Sequence, residues 1–188
     1  LQARSSRFFL LESVEGGEKW ARYSFLGYDP ILRVACKNGV VTVKGAESRT
    51  VETGKPLDVL REILSRYRAP RPEGLPPFTG GFVGYFAYAM LSYAEPTLDI
   101  QRGAWDDFDL MLFDKVIAYD HLKQKITLIA NIQTDHVMEN YGAACAALES
   151  MAALVSDQSP LPCQAHAPKP TFTCNMTLGE YTAMVEKT

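Results

Sequence analysis

The stretch Ile31-Leu32-Arg33-Val34-Ala35-Cys36-Lys37-Asn38-Gly39-Val40-Val41-Thr42-Val43 decides the fold class. Two apolar runs, 31–36 and 40–43, flank Asn38-Gly39, a dipeptide that accepts the positive φ angles of a two-residue turn. This spacing predicts a β-hairpin. Working towards the N-terminus, Asp29-Pro30 stops a further strand over about 22–26, and Gly16-Gly17 supplies the turn before it. Arg7-Phe8-Phe9-Leu10-Leu11 is short, apolar and aromatic, as a buried strand is. Towards the C-terminus, Gly45 and Gly54 bracket a short strand around 49–51.

Pro56 then opens a helix where its missing N–H costs nothing. Leu57, Leu60, Ile63, Leu64 and Tyr67 follow at helical spacing. After a loop holding Pro70, Pro72, Pro76 and Pro77, residues 80–88 read as a Gly- and aromatic-rich strand. Residues 110–119 and 125–131 read as one long hairpin with its turn at 120–124, and 136–154 as an Ala- and Leu-rich helix. Strands joined locally, with separate helices, predict an α+β fold: mainly antiparallel β-sheets, sandwich-like, with flanking helices.

The composition changes after Val155. Residues 156–170 hold Pro160, Pro162, Pro168 and Pro170 with almost no periodicity. Thr177-Leu178-Gly179-Glu180 reads as a capping box that starts a last helix with Tyr181, Met184 and Val185 on one face. The expected organisation is a domain over 1–155, a Pro-rich linker over 156–172, and over 173–188 the start of a second domain that continues in a longer protein.

The 188 residues carry 19 Lys and Arg against 22 Asp and Glu, a net charge of −3 that lacks the positive field of a nucleic-acid binder. With 47% hydrophobic and 22% charged residues the chain can build one sizeable core. No apolar run reaches the roughly 18 residues of a membrane span. Cys36, Cys145, Cys163 and Cys174 form no CxxC pair and read as reduced thiols of a cytoplasmic protein. His121, His136 and His166 lack metal-ligand spacing and read as solvent-facing or incidental.

Gly80, Gly81 and Gly84 are not followed by the Lys-Ser/Thr of a phosphate loop, so they read as strand glycines that permit a bulge or a close backbone approach. Asp106-Asp107-Phe108-Asp109 lacks the alternation of a calcium loop and reads as a solvated strand entry, with Trp105 beside it in core or interface. No nucleophile–base pair stands out, so no catalytic residue is expected in this chain. One constellation remains. If the strands around 7–11 and 22–26 pair, Glu12 and Ser13 approach Tyr23 and Ser24 at the rim of an apolar sheet. A carboxylate with two hydroxyls there can hold a zwitterionic amino acid, or can merely satisfy local turn backbone.

Leu10-Leu11-Glu12-Ser13-Val14-Glu15-Gly16-Gly17-Glu18, then Arg22-Tyr23-Ser24-Phe25-Leu26-Gly27 and Asp29-Pro30, resemble the N-terminal region of the anthranilate synthase component I family. Gly80-Gly81-Phe82-Val83-Gly84-Tyr85-Phe86-Ala87-Tyr88 is similar to that family's glycine–aromatic strand. Asp109-Leu110-Met111-Leu112-Phe113-Asp114 and Asp120-His121 resemble its next hairpin, and Asn175-Met176-Thr177 with Glu180-Tyr181 the start of its chorismate-binding domain. The pattern departs at Ala89, where the family usually has an acidic residue.

The resemblance implies an enzyme that makes anthranilate and pyruvate from chorismate, with ammonia from a glutamine amidotransferase subunit, in tryptophan biosynthesis. It implies catalytic residues and Mg²⁺ in a C-terminal chorismate-binding domain against which this region packs. For this region it implies a share of the L-tryptophan feedback site, carried by Leu11, Glu12 and Ser13 and more loosely by Tyr23 and Ser24. Component I of aminodeoxychorismate synthase shares the fold and chorismate, but its counterpart of the Leu-Leu-Glu-Ser motif generally lacks the Glu, so Glu12 favours anthranilate synthase. A free-standing interaction domain is the reading from another class.

Overall fold

The computed structural model describes residues 5–12, 22–46, 48–95, 97–159 and 173–187. The expected Gly16-Gly17 turn and most of the Pro-rich linker lie outside them. The chain divides into two compact units, Leu1–Ser156 and Asp157–Thr188.

The first unit is an antiparallel α+β structure built on two sheets. β1 (Phe8–Leu11), β2 (Tyr23–Tyr28), β8 (Lys115–Asp120) and β9 (Lys125–Ala130) form one sheet in the order β1-β2-β8-β9. β5 (Arg49–Glu52), β4 (Val40–Lys44), β3 (Leu32–Lys37), β7 (Phe108–Phe113) and β6 (Gly81–Phe86) form the other in the order β5-β4-β3-β7-β6. The hairpin of β3 and β4 turns through Asn38 and Gly39 at φ 51° and 82°, the positive angles its sequence requires.

α1 (Pro56–Ser65), with Pro at its start, closes the inner face of the five-stranded sheet. Its Val59, Leu60 and Ile63 enter one cluster with Leu32, Val34, Cys36, Val41, Val43, Phe108, Leu110 and Leu112. The four-stranded sheet meets that layer through Phe9, whose ring stands edge-on to Phe113 at 4.7 Å. α3 (Val137–Ser156) packs along β9 and buries Met151 completely.

The expected long hairpin over 110–131 is two separate pieces. β7 belongs to the five-stranded sheet and β8 to the four-stranded one, and the chain changes sheet at Asp114. Asn131 holds the crossing: its side-chain N–H groups donate to the carbonyls of Thr79 (2.7 Å) and Asp114 (2.9 Å). Gly80, at φ 147°, lets Asn131 approach, since a Cβ there would stand 2.7 Å from Asn131 Nδ2. The expected strand 80–88 ends at Phe86, and Tyr88–Met90 and α2 (Leu91–Ala94) turn the chain away. Gly84 is the close-approach glycine of that strand, backed directly onto the Asp109–Leu110 backbone of β7.

In the second unit, α4 (Leu178–Glu186) begins with the expected capping box. Glu180 N–H donates to Thr177 Oγ1 at 3.3 Å, and Thr177 N–H donates to the Glu180 carboxylate at 2.7 Å.

Candidate functional site

β1 and β2 pair antiparallel, with Leu10 opposite Leu26 and Leu11 opposite Phe25. Continuing that register by one residue sets Glu12 opposite Ser24. The sheet pleat divides the predicted site residues between two faces. Leu11 lies on the face of Phe9 and Phe25, and so does Tyr23, whose ring stacks on Phe25 at 5.7 Å. Glu12 and Ser24 hold the opposite face. Leu11 is 48% exposed and Glu12 is exposed, so both are open to solvent at the end of β1. Ser13 lies outside the described residues.

β8 completes the rim from the other side, with Asp120 opposite Tyr23 and Tyr119 opposite Ser24. Arg22 grips Asp120 through Nη2 at 2.7 Å and Nε at 3.1 Å and lies over the Tyr23 ring at 4.9 Å. Asp120 also accepts the backbone N–H groups of Leu122 and Lys123, both at 3.1 Å, which pins the β8–β9 turn. The Arg22 guanidinium, with those N–H groups, holds the Asp120 carboxyl well below the usual carboxylate range. His121 follows in the turn. Its backbone N–H donates to Arg22 O at 2.8 Å, and its Nε2 stands 2.7 Å from Ser24 Oγ.

His121 is therefore engaged rather than incidental, although its side chain is exposed. Sequence reasoning missed Arg22, Asp120 and His121 as parts of this rim. They meet across 97 to 98 residues of chain, and no local spacing signals such a contact. The one available hint was Asp120-His121 closing a strand beside a turn.

A second polar group sits at the far end of the five-stranded sheet and corrects the solvated reading of the acidic cluster. Asp107 is only 2% exposed. It accepts the Tyr93 hydroxyl at 2.7 Å and the Cys36 thiol at 3.7 Å, with Arg102 Nη1 at 3.8 Å. Burial pushes both the Cys36 thiol and the Tyr93 hydroxyl up, so both stay protonated and serve as donors. Asp109 binds Arg33 in bidentate fashion, at 2.6 and 2.8 Å. Trp105 is 78% exposed and takes no part in the core of this unit. Cys36, Cys145 and Cys174 are free thiols, and Cys163 lies outside the described residues.

Among the described residues no three His, Cys, Asp or Glu side chains come together as a metal site. Among the described residues no helix is long and apolar enough to cross a membrane.

Comparison with known proteins gives the family. The family described as chorismate binding enzyme matches residues 7–188, and the chain belongs to it. Among curated relatives, anthranilate synthase component 1 of Acetivibrio thermocellus is 41% identical over 72% of this chain and 28% of its own length. The protein of the same name from Mycobacterium bovis is 34% identical over 99% of this chain and 38% of its own. The crystal structure of anthranilate synthase component I from Streptococcus pneumoniae TIGR4 superposes with a TM-score of 0.65. It covers 93% of this chain and 39% of that one at 23% identity, a likeness of fold. The chain thus spans well under half the length of these relatives.

Proposed function

We propose that this chain is the N-terminal, non-catalytic region of an anthranilate synthase component I and contributes to an L-tryptophan feedback site. Residues 1–155 form the regulatory domain, 156–172 the linker, and 173–188 the beginning of the catalytic, chorismate-binding domain. The observation that carries the reading is the pairing of β1 with β2, Leu11 opposite Phe25, whose register continued by one residue brings Glu12 to Ser24 where β1 ends. Relatives named anthranilate synthase component 1 that align over the whole chain support it.

In this reading the Glu12 carboxylate receives the effector's ammonium, while Ser13 and Ser24 supply hydroxyl contacts. Leu11 and Tyr23 offer apolar surface on the other face of the same rim, and the C-terminal domain closes the pocket. That domain carries the Mg²⁺ and the chemistry: chorismate with ammonia, delivered by a glutamine amidotransferase subunit, gives anthranilate and pyruvate in the cytoplasm. Tryptophan inhibits by binding one arrangement of the two domains better than the other, and by no more than that difference in affinity.

The test is anthranilate formation by the complete protein with its amidotransferase subunit, titrated with L-tryptophan and with L-phenylalanine as control. Ser13→Ala is expected to raise the half-inhibiting tryptophan concentration by about three- to tenfold, the loss of one hydrogen bond. An unchanged inhibition curve removes Ser13 from the site. Absence of chorismate-dependent anthranilate formation removes the enzyme assignment.

A further inference from the structure

The contact between Ser24 and His121 has a direction that matters for any zwitterion at this rim. A serine hydroxyl has one proton to donate and lone pairs to accept with. If His121 Nε2 were bare, the single Ser24 proton would be spent on it, and Ser24 could only accept from a ligand. If Nε2 carries a proton, it donates into Ser24 Oγ, and the Ser24 O–H is released to donate elsewhere. Glu12, one residue past the Leu11–Phe25 pair and so in register with Ser24, supplies an acceptor for an ammonium group. A second acceptor beside it would leave the ligand's carboxylate without a donor from Ser24. The protonated Nε2 is the state that complements Glu12.

The rest of the rim holds His121 where this requires. Ser24 and His121 are diagonal neighbours across β2 and β8, a distance long side chains bridge. The imidazole stands edge-on to the Tyr119 ring at 4.7 Å, its backbone is tied to Arg22 O, and Asp120 locks the turn on which it sits. The Arg22–Asp120 ion pair closes the same end of the two strands. Directly opposed residues of an antiparallel pair have Cβ atoms about 4.5–5.5 Å apart, so Glu12 and Ser24 lie within reach of the two ends of one α-amino acid.

We propose that His121 is the positioning residue that makes Ser24 a hydrogen-bond donor to the α-carboxylate of the amino acid held between Glu12 and Ser24. This rests on the effector-site reading above and adds to it the residue that orients the carboxylate.

The experiment is calorimetric titration of the complete protein with L-tryptophan and with tryptamine, which keeps the indole and ammonium but lacks the carboxylate. His121→Ala is expected to weaken L-tryptophan about three- to tenfold, the fold-change of one hydrogen bond, and to leave tryptamine within about twofold. His121→Gln, whose amide N–H can donate in place of the ring, should recover part of the loss. With Ser24→Ala already in place, H121A should cost nothing further. Equal weakening of both ligands, a full additional loss in the Ser24→Ala background, or tryptophan binding unaffected by H121A would each overturn the proposal. Glu12→Gln separates this failure from that of the underlying reading. If E12Q weakens both ligands while H121A does nothing, only the role of His121 falls. If E12Q changes neither, the effector site itself is misplaced and both readings fall.

Discussion

Replacing Gly84 with Ala tests how β6 joins its sheet. Gly84 pairs with Leu110 in β7, and a Cβ built on it would overlap the Asp109 carbonyl oxygen and stand 2.9 Å from both Asp109 C and Leu110 Cα. Every obstructing atom is backbone, so no rotamer change relieves the overlap. β6 must move off β7 locally or lose ladder hydrogen bonds. Overpacking of this kind costs about 1–3 kcal/mol, and the rigid backbone partner puts Gly84→Ala at the upper end, about 2–3 kcal/mol. For a chain of this size about 1 kcal/mol moves Tm by 2–4 °C, so the expected fall is about 4–12 °C. The urea midpoint, followed by far-UV circular dichroism, should drop by roughly 1 M. Gly54→Ala is the internal control, because nothing lies within 4 Å of a Cβ there and its φ is not positive. It should be neutral, or stabilising by up to about 1 kcal/mol through the unfolded chain. If Gly84→Ala unfolds within about 0.5 kcal/mol of the parent, the close packing of β6 on β7 is wrong.

Two further substitutions probe the polar groups. Asp120 is held below the ordinary carboxylate range by Arg22, so its stabilising contribution is complete above the unfolded value of about 3.9 and is lost as pH falls towards the folded one. Thermal melts of the parent and Asp120→Asn should therefore differ by a constant amount from pH 7 to 5 and converge below about pH 4; a gap that persists unchanged at pH 3 would refute the pairing. Tyr93→Phe removes the hydroxyl that Asp107 accepts and leaves a buried carboxylate under-satisfied. A loss of about 1–3 kcal/mol is expected from urea unfolding, and a change under about 0.5 kcal/mol would show that Asp107 finds other partners.

Much of the fold was legible because its devices are local. Asn38-Gly39 names its own turn, Pro56 its own helix start and Thr177 with Glu180 its own cap, since each device acts over two to four residues of chain. The pairing of β1 with β2 joins two apolar runs close in sequence, and its register, continued by one residue, sets Glu12 against Ser24. The pleat then separated Leu11 and Tyr23 from that pair. A list of candidate side chains does not carry this consequence, because it depends on which residue faces which across the strands.

The acidic run was misread for a related reason. Asp106, Asp107 and Asp109 look alike in sequence, yet Asp109 meets Arg33 near the surface while Asp107 is enclosed by Tyr93, Cys36 and Arg102. Burial is a property of the packed chain, and only the donors that arrive with it make a carboxylate tolerable there. The change of sheet at Asp114 was hidden in the same way. The alternation of Phe108–Phe113 and Lys115–Asp120 reads as one strand, and the break rests on Asn131, which returns from the far side of the hairpin to hold Thr79 and Asp114.

What the residues alone settled here is the α+β class, most of the element boundaries and the motif that leads to the family, because propensity, turn chemistry and alternation act along the chain. The tertiary structure decided which strands share a sheet, which carboxylate is buried, and that His121 reaches Ser24. Those contacts join residues far apart in the chain, and only the packing of β2 against β8 brings their atoms within hydrogen-bond distance.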